Sequence, residues 1–128
     1  MSAEALLEQA RAGLRRVAPE ELAGLSDVLL VDIRPHHNRL AEGEIPGSVP
    51  VERIVLEWRL DPAGEYRIPG FGAETTVVVL CNEGYASSLA ARDLQRVGLP
   101  NATDLVGGFR AYAEAGLPIR EGATPAVV

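Results

Sequence analysis

The sequence predicts an α/β fold, and three features carry that expectation. Val28 to Asp32 (VLLVD) and Thr76 to Leu80 (TVVVL) are short, continuous apolar runs, the form taken by strands covered on both faces in a parallel sheet. Helical patterns follow them, so the order along the chain is strand, helix, strand, helix. The length of 128 residues suits a single domain with one core. The whole chain, 1–128, is read as that domain, with its core over about 18–120, an N-terminal helix over 1–17 and a loose tail over 122–128.

Each element has a local reason. Ser2 is placed to cap an amphipathic helix reaching Arg16, with Ala5, Leu6, Ala10 and Leu14 on one buried face. Pro19-Glu20-Glu21-Leu22 opens a second, short helix, because proline and acids suit a first helical turn. After the first strand, His36 and His37 follow Pro35 in a polar stretch and are read as surface loop residues, not metal ligands. Gly43 to Pro50 is rich in turn residues, and a helix is expected around Arg53 to Leu60 before a loop with Pro62, Gly64, Pro69, Gly70 and Gly72. Beyond the second strand, Leu89, Ala90, Leu94 and Val97 line one face of a helix over Tyr85 to Val97 that Gly98 stops. Ala102 to Val106 is a further short strand, and a last helix runs from about Phe109 to Ala115. Trp58 and Tyr112 are read as core or rim packing.

Composition removes several classes of function. With 47% apolar and 23% charged residues, the chain is neither disordered nor collagen-like nor a coiled coil. Twelve basic residues, all arginine, against eighteen acids leave a net charge of -6. That is the wrong sign for phosphate backbones or an anionic membrane surface, so neither nucleic acid nor membrane is an expected partner. The single cysteine, Cys81, excludes an internal disulfide and a zinc site of several thiolates, which points to a reducing compartment. No apolar run approaches the roughly 20 residues of a membrane helix. Glu4, Glu8 and Gln9 interrupt the place where a signal peptide needs an apolar core, so a cytoplasmic location is expected.

Chemistry concentrates between Val77 and Ala91, VVVLCNEGYASSLAA. Cys81 lies at the carboxyl end of a buried strand, where α/β proteins bind ligands, ahead of a glycine-containing loop that enters a helix. Unpaired N–H groups and the positive helix end there favour anionic sulfur. Glu83 opposes this, by roughly 0.7 kcal/mol for a charge about 6 Å away in water, against about 1 to 2 kcal/mol from helix dipole and amides. A free cysteine is most often a small buried hydrophobe; the strand, loop and helix around Cys81 favour a nucleophile instead. Gly84 supplies a backbone turn that other residues resist. Ser87 and Ser88 are read as first-turn caps whose hydroxyls also reach the sulfur, and Asp32 and Arg34 as structural groups pairing at a strand end.

These residues carry a resemblance. The loop Cys81-Asn82-Glu83-Gly84-Tyr85-Ala86-Ser87 resembles the active-site loop of the rhodanese homology domain, commonly CxxGxR followed by serine. Val31-Asp32-Ile33-Arg34 is similar to the family's DxR strand end, and Glu44-Ile45-Pro46-Gly47-Ser48 to its HIPGA turn. Asp104 to Phe109, with Gly116-Leu117-Pro118-Ile119, is similar to its closing region. The motifs run in the family's order from Val28 to Ile119. The resemblance implies a three-layer fold with a parallel sheet of about five strands and helices on both faces. It also implies a sulfurtransferase that carries sulfur as a persulfide on Cys81, with Asn82, Glu83, Gly84, Tyr85, Ala86 and Ser87 around the substrate and neither cofactor nor metal. The partners it implies are a small sulfur donor, thiosulfate or a persulfide, or a sulfur-carrier protein.

Departures from the pattern refine this. Ala86 stands where sulfur-transferring members usually place arginine, and Glu83 adds a charge of the wrong sign for an anionic donor, so weak thiosulfate activity is expected. Related phosphatases and arsenate reductases use a loop one residue longer, whose arginine would fall at Ser87. A phosphate dianion needs an arginine fork together with amides, so that activity is not expected. The alternative to sulfur transfer is a binding or redox-sensing module in which Cys81 is oxidised, or the loop docks a partner, without turnover.

Overall fold

A computed structural model of the chain describes residues 1–128. Its strands are β1 (Val28–Asp32), β2 (Val49–Pro50), β3 (Thr76–Leu80) and β4 (Thr103–Asp104), all parallel, in the order β2-β1-β3-β4. The helices are α1 (Ala3–Ala12), α2 (Pro19–Leu22), α3 (His36–Glu42), α4 (Leu56–Arg59), α5 (Ala86–Val97) and α6 (Gly108–Glu114), with a 3-10 turn at Arg53–Val55 leading into α4.

β1 and β3 form the centre, paired in register from Val28 beside Thr76 to Asp32 beside Leu80. Strand alternation divides the apolar residues of β3 between two cores. Val77, Val79 and the following Cys81 join Leu56, Leu60 and Leu94 on the face that carries α4 and α5, with α1 against α5. Val78 and Leu80 join Leu22, Leu30, Phe109 and Tyr112 on the face of α2 and α6. All four side chains of Val77 to Leu80 are inaccessible to solvent, as expected of a strand with helices on both sides.

The sheet has four strands where about five were expected. At the β4 edge, Val17 makes a single bridge to Leu105, donating to the Asp104 carbonyl at 3.0 Å and accepting from Val106 at 2.8 Å. Pro19 then turns the chain into α2 before the ladder can extend. β4 is shorter than the expected Ala102 to Val106, because Gly107 and Gly108 turn the chain away in the left-handed region. α1 stops at Gly13 instead of continuing to Arg16. His36 and His37, expected in a loop, are exposed residues opening α3. That helix shows no apolar stripe because the residue it buries is Arg39, 1% exposed. Tyr112 packs in the core, while Trp58 is 60% exposed.

The tail is not loose. The Glu44 carboxylate, completely buried, accepts from Arg39 Nη1 at 2.7 Å, Arg120 Nη2 at 2.9 Å, and Thr124 through its hydroxyl at 2.7 Å and its N–H at 3.1 Å. Val127 adds a parallel bridge to Val51 beside β2, so residues 122–128 are anchored at two points. Burial by itself pushes the Glu44 carboxyl up, but the hydrogen bonds from Thr124, Arg39 and Arg120 outweigh it and hold the carboxyl down from 4.5 to about 2. A carboxylate lowered in this way adds stability that is fully present above about pH 4.5 and is lost as the pH falls towards 2. Glu44→Gln should therefore cost about 3 kcal/mol at neutral pH by leaving Arg39 buried without its anion. In a series of urea melts, the wild type should lose stability between pH 4.5 and pH 2, and the variant should lack that component.

Candidate active site

The carboxyl ends of β1 and β3 lie side by side, and the candidate residues gather there. Asp32 and Arg34 form a buried ion pair: Nη2 to Oδ2 at 2.8 Å and Nε to Oδ1 at 3.1 Å, with the Arg34 N–H donating to Oδ1 at 2.9 Å. Arg34 also donates to the Gly43 carbonyl at 2.7 Å, and its guanidinium carbon sits 3.9 Å from the Phe109 ring centre. Asp32 is sealed beneath the site, whereas Arg34 reaches the wall of the cavity described next.

Cys81 leaves β3 at the floor of a cavity of about 320 Å³, whose wall includes Ile33, Arg34, Arg53, Glu83, Tyr85 and Ala86. Asn82 also contributes to this wall; Gly84 and Ser87 lie behind it and reach the sulfur through their backbones. The N–H of Gly84 points at Cys81 Sγ from 3.2 Å and that of Ser87 from 3.4 Å. The loop turns tightly enough for this because Gly84 adopts φ 89°, in the left-handed region. A Cβ there would also lie 2.9 Å from the Gly107 nitrogen. The start of α6 holds the base of the loop: Phe109 N–H donates to the Cys81 carbonyl at 2.8 Å and Arg110 N–H to the Asn82 carbonyl at 3.1 Å. A Cβ on Gly108 would collide with both carbonyl oxygens at 2.6 Å, so glycine is what permits this approach. Glu83 is exposed and lies 3.6 Å from Arg110, which Glu42 engages at 3.0 Å.

Beneath the loop sits a group that sequence reasoning did not single out. Asp104, the last residue of β4, is completely buried. It accepts from Ser87 Oγ at 2.7 Å, Ser88 Oγ at 2.8 Å and Arg16 Nε at 2.8 Å. The two serines therefore turn inward, away from the sulfur, and neither caps α5. Arg16 Nη2 also reaches the Gly84 carbonyl at 3.1 Å, and Arg11 of α1 reaches the same oxygen at 2.7 Å. Arg11 and Arg16 lie 68 to 88 residues from Gly84 and Asp104, beyond any local pattern, and Asp104 is 16 and 17 residues from Ser88 and Ser87. Arg53 was also missed, because β2, which precedes it, is two residues long within a turn-rich stretch. A larger cavity, about 520 Å³, lies at the opposite end of the sheet against Thr76 and Thr103, with no cysteine, histidine or serine in its wall.

Together these features define an α/β protein with a cysteine loop cradled at the carboxyl end of a central parallel strand. The chain belongs to the rhodanese-like domain family, whose model matches residues 18–115. Over 78% of its length it is 36% identical to a sulfurtransferase of Allochromatium vinosum, covering 85% of that protein. It is also 36% identical, over 67% of its length, to the maize adenylyltransferase and sulfurtransferase MOCS3-2, of which it spans 17%. A solved structure from Rhodopseudomonas palustris, described as a protein of unknown function and possible tyrosine phosphatase, superposes with a TM-score of 0.85 at 34% identity, covering 94% of this chain and 95% of that one.

The arginines of the N-terminal segment provide a test of the loop's support. Arg16→Gln removes the cation from a buried carboxylate and should cost about 3 kcal/mol, a fall in Tm of roughly 10 °C. Arg15→Gln next to it, at an exposed side chain with no hydrogen bond, should stay within about 0.5 kcal/mol of wild type. Thermal denaturation of the two variants side by side reads the difference.

Proposed function

We propose that this protein is a sulfurtransferase that carries sulfur as a persulfide on Cys81. The observation that supports this most is the convergence of the Gly84 and Ser87 N–H groups on Cys81 Sγ at the floor of an open cavity. Preorganised amides of this kind stabilise negative charge on sulfur without rearranging. The Cys81 thiolate attacks the outer sulfur of the donor and forms a new S–S bond. The bond that held this sulfur to the donor breaks, and its electron pair leaves with the remnant, which is sulfite when the donor is thiosulfate. A nucleophilic acceptor then takes the outer sulfur, and Cys81 departs as thiolate. Only cysteine chemistry and backbone amides are used.

The relatives named as sulfurtransferases favour this reading. The phosphatase description of the Rhodopseudomonas protein finds less support in this loop, where Ala86 and Ser87 occupy both positions at which an arginine fork would be needed. A small persulfide or a sulfur-carrier protein fits the site as donor, and a cytoplasmic setting fits a single reduced cysteine.

Intact-mass spectrometry after incubation with cysteine persulfide should show an adduct of about 32 Da, one sulfur atom, that cyanide removes. Cys81→Ser should show no adduct and no turnover while keeping a Tm within a few degrees of wild type. An adduct that no acceptor removes, or oxygen adducts alone, would favour a redox-sensing module instead.

A further inference from the structure

The loop around Cys81 contains no cation, yet the cavity wall holds two arginines from outside the loop. Arg53 follows β2 at the carboxyl end of the sheet and shares the cavity with Cys81. Arg34, the other arginine in that wall, is 4% exposed, has its charge met by Asp32 and also binds the Gly43 carbonyl; its Nη1 has no partner but is itself buried away from the cavity opening. The Arg53 side chain is 37% exposed, and its guanidinium is held from two sides. Nη1 donates to both Glu57 oxygens of α4 at 3.0 Å, and Nη2 donates to Asp93 of α5 at 3.2 Å, while Nε makes no hydrogen bond. The guanidinium is therefore fixed in place with N–H capacity to spare. Its charge, however, is shared between two carboxylates, and Arg92, 3.5 Å from Asp93, offsets only one of them.

We propose that Arg53 is the donor-recognising residue of this site, and that Glu57 and Asp93, by sharing its charge, make the cavity favour a singly charged sulfur donor over the dianion thiosulfate. This rests on the sulfur-transfer reading of Cys81. One anionic oxygen of a donor finds a directed, charge-assisted N–H at Arg53. A second negative charge finds no further cation free of a carboxylate, meets Glu83 in the cavity wall, and feels the charges of Glu57 and Asp93, which hold Arg53 from outside that wall. The selectivity thus lies in the ion pairs behind the arginine.

Two probes separate charge from chemistry. Thiosulfate and benzenethiosulfonate both present an outer sulfur on a sulfonyl group, but the second carries one negative charge. Attack by Cys81 releases sulfite from the first and benzenesulfinate from the second, each taking the bonding electron pair; cyanide then removes the sulfur as thiocyanate, which is measured. Arg53→Gln should raise KM for both donors by about ten-fold with little change in kcat, and Arg53→Lys should recover part of the loss. Glu57→Gln and Asp93→Asn should each raise kcat/KM for thiosulfate at least about three-fold more than for benzenethiosulfonate. A merely structural role would lower kcat for both donors alike and would not change their ratio. Unchanged KM values in Arg53→Gln, or equal effects of the carboxylate variants on both donors, would overturn the proposal while leaving sulfur transfer standing. A wild type that forms no adduct with either probe or with cysteine persulfide would remove both.

Discussion

The buried carboxylate of Asp104 is the constraint on which the cysteine loop depends. A carboxylate taken wholly out of water is costly unless it is paired and hydrogen-bonded. Here Arg16 supplies the charge and the hydroxyls of Ser87 and Ser88 supply the remaining bonds. Those serines belong to the first turn of α5, so satisfying Asp104 fixes the start of the helix over the end of β4. The Gly84 carbonyl, held by Arg11 and Arg16, fixes the preceding turn. With both ends of the loop tied from below, the Gly84 and Ser87 N–H groups have one direction left, towards the sulfur.

The distribution of charge follows from the same arrangement. A chain with a net charge of -6 places Arg11 and Arg16 behind the loop and Arg53 in the cavity wall outside it. The cations behind the loop spend their hydrogen bonds on Gly84, Ser88 and Asp104, so they build the cradle without meeting a ligand. The absence of arginine within the loop, at Ala86, therefore leaves the sulfur supported by amides. Recognition of the rest of the donor falls to other elements.

What could be read from the sequence was what local rules encode. The apolar runs marked β1 and β3 to the residue, and Gly98 marked the end of α5, because burial on both faces and a left-handed stop leave local signatures. The address of Cys81 followed from those two elements. Features that depend on distant pairing left no such trace. α3 is held by Arg39 and not by an apolar stripe, β2 and β4 are two residues each, and the tail is anchored to Glu44 by Thr124, 80 residues away. The position of the serines at a helix start is local information and marks them as caps, whereas Asp104 beneath them, which turns them inward, is not local.

The central claim is that two backbone amides hold the sulfur carried on Cys81. The most direct measurement is the amide proton and nitrogen chemical shifts of the full chain before and after Cys81 is loaded with one sulfur atom. The account predicts that the Gly84 and Ser87 amides shift most, and that they return when an acceptor unloads the cysteine. A confirmed adduct on Cys81 that leaves those two resonances in place would contradict it.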